Sequence, residues 1–192
     1  MADVAKPTVL IVGDSLSAAY GIAQDAGWVA LLQQRLAQTG YPHRVVNASI
    51  SGDTTRGGRA RLDAALRAHQ PDIVIIELGG NDGLRGLPLE EMAANLQALV
   101  RKSREAGAQV LLVGIVLPPN YGPQYTAAFA RTYETVAREL EVPLVPNLFA
   151  GIGEDMAAFQ GDGIHPTAGS QERLLQNVWV ELEPLLKTKR FP

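Results

Sequence analysis

The chain of 192 residues contains no cysteine. This excludes disulfides, zinc–thiolate sites and a cysteine nucleophile, and it leaves the redox compartment open. Histidine is scarce as well: His43, His69 and His165 are the only three, and they are scattered along the sequence. A metal site is therefore not expected.

Long apolar runs and runs of basic residues are also missing. No apolar run approaches the roughly 18 residues that a membrane-spanning helix needs, and the first residues contain no hydrophobic signal core. We therefore expect either a cytoplasmic protein or a mature exported form with an added Met1. Because the net charge is −3 and the one basic cluster closes the chain, nucleic acid is not expected as a partner.

The composition is that of one globular domain, with 46% hydrophobic and 19% charged residues. We expect residues 1–192 to form a single domain with flexible ends at 1–7 and 187–192. Five short apolar runs lie between segments with apolar residues at helical spacing, such as Val29, Leu32 and Leu36. The runs are 8–12, 44–48, 72–78, 109–116 and 142–145.

This alternation of strand and helix predicts an α/β fold with three α/β/α layers, flavodoxin-like, around a five-stranded parallel sheet. The expected strand order is 2-1-3-4-5. Pro88 and Gly107 fit the start and the end of one helix, and Thr167 is a candidate N-cap for the last.

Three glycine-rich polar loops follow the first three predicted strands, at 13–15, 47–54 and 79–83. In such sheets ligands bind beyond the carboxyl ends of the strands, where the direction of winding switches. We therefore expect these loops to share one crevice.

Ser15 is ambiguous when it is considered alone. A serine after a strand is commonly a helix cap, and the G-x-S-x-G elbow that exposes a nucleophile is absent. A phosphate loop is less favoured, because neither G-x-G-x-x-G nor a Walker pattern follows the strand. Asp14 as an aspartyl nucleophile is also weakly supported.

Asp162 and His165 are three residues apart in a loop where Gly163 permits a tight turn. Such a turn can place the carboxylate against Nδ1 of the imidazole and leave Nε2 facing outward, as a serine nucleophile requires. The alternative is an aspartate that caps the turn beside an incidental histidine.

Asn81 and Gly52 are candidate oxyanion donors, through a side-chain amide and a backbone N–H, with the N–H of Ser15 as a third donor. The alternative for Asn81-Asp82-Gly83 is a tight turn after the third strand. Glu77, near the end of that strand, is interpreted as structural support.

Four segments resemble, in their order, the four blocks of the SGNH (GDSL-type) hydrolases: "GDSL" at 13–16, Gly52, "GGND" at 79–82 and "DGIH" at 162–165. The stretches "NASISGDT", "ELGGNDGLRG" and "LPPNYGPQYTAAF" resemble a multifunctional bacterial branch of that family with thioesterase, arylesterase and lysophospholipase activity. The resemblance covers nearly the whole chain.

The resemblance implies an SGNH fold in which Ser15 is the nucleophile and His165, oriented by Asp162, is the general base. It implies an oxyanion hole made of the N–H groups of Ser15 and Gly52 with the side chain of Asn81. No cofactor is implied, and such enzymes are exported to the periplasm. We also expect a monomer.

The expected reaction is hydrolysis of carboxylic esters and thioesters with fairly long acyl chains. Loops 84–88 and 117–121 are candidate walls of the acyl site, with Leu84, Pro118 and Tyr121 as candidate contacts. A carbohydrate O-acetyl esterase is the alternative within the family. A non-catalytic α/β module that binds a nucleotide or a small anion is the alternative from another class.

Overall fold

The computed structural model describes residues 6–188, which contain the strands β1 (Thr8–Gly13), β2 (Arg44–Asn47), β3 (Ile73–Glu77), β4 (Gln109–Val113) and β5 (Leu144–Val145). They form a five-stranded parallel sheet in the order β2-β1-β3-β4-β5. The predicted order is therefore confirmed.

The central strands are the apolar ones. Every residue of β1 and β3 is buried, as expected for strands covered by helices on both faces. The edge strand β2 is half exposed. The fourth strand ends at Val113 rather than at residue 116, because β5 pairs only with Leu112 and Val113.

Residues 6–188 contain six α-helices: α1 (Trp28–Gln38), α2 (Thr55–His69), α3 (Gly80–Leu84), α4 (Leu89–Glu105), α5 (Pro123–Leu140) and α6 (Gln171–Lys187). Helix α1 packs against α6, and α4 packs against both α2 and α5. Their apolar stripes, including Leu32, Leu62, Leu96, Phe129 and Val178, form the core against the strands.

Several predicted boundaries need correction. No helix begins at Ser15, because residues 15–21 form consecutive turns before a short 3₁₀ turn at Gln24–Ala26. Thr167 precedes another 3₁₀ turn and makes no capping bond, so that α6 begins only at Gln171. Asn81 lies in the short helix α3 rather than in a tight turn.

The predicted helix ends around α4 are confirmed, since Pro88 precedes its first residue and Gly107 follows its last turn. Of the predicted flexible ends, residues 1–5 and 189–192 lie outside the described residues, whereas Lys187 is the last residue of α6. Among residues 6–188, no helix combines the length and the apolar character needed to cross a bilayer.

Candidate active site

Ser15 stands in the first turn after β1. The Asp14 carboxylate accepts a hydrogen bond from the Leu16 N–H at 3.0 Å, and the Ser15 carbonyl accepts one from the Tyr20 N–H at 3.2 Å. These local bonds curl the chain back on itself, so a short polar turn rather than a helix presents the hydroxyl at the end of a buried strand.

The loop beyond β5 brings Asp162 and His165 to this serine. One oxygen of Asp162 accepts the backbone N–H groups of Ile164 at 2.9 Å and of His165 at 3.0 Å, while Gly163 takes a positive φ of 67° in the turn. The other oxygen lies 2.7 Å from Nδ1 of His165, and Nε2 lies 2.9 Å from Oγ of Ser15. The structure thus aligns hydroxyl, imidazole and carboxylate in one hydrogen-bonded chain.

The charge of Asp162 suits this arrangement. Desolvation favours its neutral form, but the backbone N–H and the imidazole of His165, together with the N–H of Ile164, outweigh that effect and lower its pKa to about 2. The carboxylate is therefore ionised at neutral pH. An ionised partner on Nδ1 keeps Nε2 free to accept a proton from the serine.

The predicted oxyanion donors lie on the loops after β1, β2 and β3. In the part of the chain that the structure describes, neither the backbone N–H of Ser15 nor that of Gly52 donates a hydrogen bond within the protein. The amide of Asn81 is already engaged, because Nδ2 donates to the carbonyl of Asp53 at 2.9 Å and to the carboxylate of Asp14 at 3.1 Å.

An ion pair and several hydrogen bonds hold the loop after β2 in place. Arg61 pairs with the Asp53 carboxylate at 2.7 Å and also donates to the carbonyls of Ala48 and Gly13. The carbonyl of Gly52 accepts a bond from Arg85 at 2.9 Å. Sequence reasoning assigned this role to neither arginine, because Arg61 lies outside the motif segments and Arg85 was considered only as part of the candidate wall loop 84–88.

Two buried carboxyl groups lie near Ser15. Burial raises the pKa of Asp14 to about 6, although the bonds from Leu16 and Asn81 oppose the shift. Burial, and then the neighbouring charge of Asp14, raise the pKa of Glu77 well above its ordinary value. The hydroxyl of Ser17 donates to Glu77 at 2.7 Å, which supplies the partner that the sequence left unnamed.

A cleft of about 650 Å³ opens beside Ser15, Asn81 and His165. Two of the three candidate acyl contacts, Leu84 and Pro118, line this cleft. Within residues 6–188 Tyr121 is not among the lining residues, and its hydroxyl instead donates to the carbonyl of Leu84 at 2.9 Å. Sequence reasoning missed the apolar wall contributed by the segment after β5, which includes Phe149, Met156, Phe159 and Ile164.

The described residues contain no group of three or more histidine, aspartate or glutamate side chains placed to hold a metal ion. The polar groups at this place are instead the hydroxyl of Ser15, an imidazole, a carboxylate and amide donors. That donor set suits acyl transfer.

Comparison with known proteins gives a consistent result. The sequence model of the GDSL-like Lipase/Acylhydrolase family matches residues 11–173. Esterase TesA of Pseudomonas aeruginosa is 56% identical over 182 residues, which cover 95% of this chain and 90% of that protein. Thioesterase 1/protease 1/lysophospholipase L1 of Escherichia coli K12 is 42% identical over 182 residues, covering 95% of this chain and 86% of that protein.

A solved structure agrees with the sequence relatives. The crystal structure of TesA superposes with a TM-score of 0.91 at 56% identity, covering 93% of this chain and 99% of that one. Residues 11–173, which the family model matches, contain all four sequence blocks and the hydrogen-bonded side chains of Ser15, His165 and Asp162. The protein belongs to the GDSL-like lipase/acylhydrolase family, and it is an ester hydrolase.

Proposed function

We propose that the protein hydrolyses carboxylic esters and thioesters through an acyl-enzyme formed on Ser15. The observation that carries this proposal is the contact of 2.9 Å between Oγ of Ser15 and Nε2 of His165, whose Nδ1 is held 2.7 Å from Asp162. A hydroxyl with a base at this distance, and the base oriented by a carboxylate, is the arrangement that activates serine.

The reaction follows from these contacts. As Oγ of Ser15 attacks the acyl carbonyl, its proton passes to Nε2 of His165 and the carbonyl electrons move onto oxygen. When the tetrahedral intermediate collapses, the imidazolium gives this proton to the leaving alcohol or thiol. In the second half-reaction, Nε2 of His165 takes a proton from a water molecule, whose oxygen attacks the acyl carbonyl. The imidazolium then returns that proton to Oγ of Ser15 as the bond between Oγ and the acyl carbon breaks and the carboxylic acid leaves.

The N–H groups of Ser15 and Gly52 are proposed as the first two donors to the oxyanion, because no group of the described chain occupies them. Asn81 is the third. Both of its amide hydrogens already have acceptors, so its bond to Asp14 or to Asp53 must be shared with the oxyanion. Each such donor is worth about 3 kcal/mol of transition-state stabilisation.

The cleft supports the substrate class. Its lining beside the nucleophile is mostly aliphatic and aromatic, with Leu84, Ile115, Leu117 and Phe149 among the residues. Such a surface gains free energy with each buried methylene, about 0.8 kcal/mol. We therefore propose acyl chains longer than acetyl, and the names of the relatives point to thioesters, aryl esters and lysophospholipids as substrates.

The test is turnover of a p-nitrophenyl ester series from acetyl to dodecanoyl, and of an acyl-CoA thioester, by wild type and Ser15→Ala. We expect kcat of S15A to fall by at least about 10³-fold and kcat/KM of wild type to rise with chain length up to octanoyl or beyond. Wild-type turnover by S15A would contradict the nucleophile. A preference for acetyl would favour the O-acetyl esterase alternative.

A periplasmic location and a monomeric state are part of this proposal. The location rests on the family resemblance alone. Osmotic-shock fractionation of cells that carry the native gene tests the location, and light scattering of the purified protein tests the monomer.

A further inference from the structure

His165 and Ser15 come from chain segments that are not neighbours in the sheet. Ser15 follows β1 and His165 lies beyond β5, with β3 and β4 between those two strands. The imidazole itself contacts Ser15 only through the hydrogen bond that must break and re-form during the reaction. A separate contact is needed to hold the two loops at this distance throughout the cycle.

Gln160 supplies bonds of this kind on both sides. Within the histidine loop, its N–H donates to the carbonyl of His165 at 2.7 Å and its carbonyl accepts from Gly163 at 2.8 Å. Its side-chain Nε2 donates to the carbonyl of Pro166 at 3.1 Å and, across the gap, to the carbonyl of Tyr20 at 2.8 Å. One residue therefore closes the turn that carries His165 and ties it to the loop of Ser15.

The serine loop is shaped to receive this amide. Gly21 has φ +74°, and a Cβ there would lie 2.1 Å from Oε1 of Gln160, so a side chain at this position would displace the amide. Tyr20, whose carbonyl Gln160 holds, packs its ring 4.5 Å from the imidazole of His165. Between segments 14–23 and 159–166 of the described chain, the Gln160–Tyr20 bond is the one hydrogen bond besides the Ser15–His165 pair.

We propose that Gln160 is a positioning residue that keeps the imidazole of His165 at reacting distance from Ser15 by anchoring its loop to Tyr20. The inference rests on the proposed function. Gln160 is not among the residues that line the cleft in the described part of the chain. Its loss should therefore lower kcat and leave KM nearly unchanged.

The experiment compares Gln160→Ala and Gln160→Glu with wild type. A displacement of about 1 Å between reacting groups costs roughly 10²-fold in rate, so we expect kcat of Q160A to fall about 10- to 100-fold with KM within two-fold. Q160E has the same size but no N–H for either carbonyl, so it keeps the side chain's volume and should lose at least as much activity.

A second readout separates positioning from general destabilisation. The rate at which a small fluorophosphonate labels Ser15 depends on the Ser15–His165 pair but not on an acyl chain, so it should fall in parallel with kcat, at a temperature where circular dichroism shows every variant folded. The matched control is Gln24→Ala, because Gln24 also donates to the serine loop, at the carbonyl of Ala18 (3.1 Å), without reaching the histidine loop. Its kcat and labelling rate should stay within two-fold of wild type.

The inference is overturned if both Gln160 variants keep kcat and labelling within two-fold, if only KM changes, or if Q24A loses as much as Q160A. Ser15→Ala is assayed beside them to keep the two proposals apart. Turnover that survives in S15A contradicts the proposed function itself, whereas an inactive S15A beside fully active Gln160 variants contradicts only the role of Gln160.

Discussion

The carboxyl group of Asp14 is subject to two opposing requirements. It accepts hydrogen bonds from Leu16 and Asn81, which favour its ionised form, but it is almost completely buried and lies near the buried Glu77. Burial prevails and raises its pKa to about 6. A residue that shapes both the serine turn and the orientation of Asn81 therefore costs the folded state free energy when it is charged.

This cost predicts a pH-dependent stability. Between the ordinary pKa of 3.8 and the folded value of about 6, the folded protein holds a proton that the unfolded chain has released, so the free energy of unfolding falls as pH rises through that window. The shift of about two units corresponds to roughly 3 kcal/mol. Asp14→Asn should remove this contribution, so wild type should lose about 3 kcal/mol relative to D14N between pH 3.5 and 7.

Urea unfolding at several pH values measures this difference. Asp25→Asn, which removes an exposed carboxylate, controls for the change of one charge. If the unfolding free energies of wild type and D14N run parallel from pH 3.5 to 7, the burial of Asp14 does not shift its titration.

At the scale of elements, strands were predictable and loop contacts were not. The apolar runs of β1 and β3 predict buried central strands, and motif order along the chain predicts which loops share the crevice. The segment 114–116 is as apolar as a strand but has no partner strand beside it, because β5 pairs only two residues. Asn81 does line the cleft, but the sequence did not predict that it lies in the short helix α3, because that helix depends on packing that no local pattern reports.

The predicted site illustrates the same limit. Residue types and spacing made Asp162 and His165 candidates, whereas Ser15 was assigned only through the resemblance to the SGNH blocks; the structure brings the three side chains together. Gln160 could not be found in this way, because its hydrogen bond to the Tyr20 carbonyl joins residues that are 140 positions apart in the sequence. Tyr121 was predicted at the cleft wall from its loop, but the orientation of a side chain in a loop is decided by tertiary contacts.

Packing of α3 gives a prediction at this scale. A Cβ on Gly83 would lie 2.6 Å from Phe129 and 2.9 Å from both terminal methyl carbons of Leu117. Gly83→Ala should therefore push α3 away from α5 and lower the free energy of unfolding by about 1–3 kcal/mol, although alanine gains up to about 1 kcal/mol in helix propensity. Because α3 carries Asn81 and Leu84 and Leu117 lines the cleft, kcat/KM for octanoyl esters should fall as well.

Urea unfolding and the ester series test G83A directly. Gly161→Ala is the control for stability, since a Cβ at Gly161 would meet nothing within 4 Å. Unchanged stability in G83A would mean that Phe129 and Leu117 move aside without cost.

At the scale of the whole molecule, the position of the His165 loop depends on the packing of α6 against α1. The segment that follows His165 leads directly into α6, and α6 packs against α1, the first long helix. Arg35 of α1 lies over the ring of Trp179, and it also bonds Gln176 at 2.9 Å. The loop of His165 is therefore held between β5 and a helix that is anchored on the opposite end of the sequence.

Gln171 makes the buried part of this connection. It is 2% exposed, and its Oε1 accepts the N–H of Trp28 at 3.0 Å, at the start of α1, where Gly27 has no side chain to cap the helix. Its Nε2 donates to the carbonyl of Thr167 at 3.2 Å. Gln171→Ala should leave a buried N–H without this acceptor and lower the free energy of unfolding by about 1–3 kcal/mol, or roughly 2–4 °C in Tm for each kcal/mol.

Gln171 and Gln160 both connect distant segments, but their loss should affect different quantities: stability for Gln171 and kcat for Gln160. Well below its Tm, Q171A should retain the kcat of wild type, because Gln171 holds helices together and not the imidazole against the serine. The control is Gln176→Ala on the same helix pair, whose bond to Arg35 is exposed to solvent and should contribute less than about 1 kcal/mol. Thermal unfolding and kcat at 20 °C test this prediction. A Q171A protein with the Tm of wild type would show that the bond from Trp28 to Gln171 does not hold α1 and α6 together. A Q171A protein that keeps its Tm but loses kcat would contradict the purely structural role of Gln171.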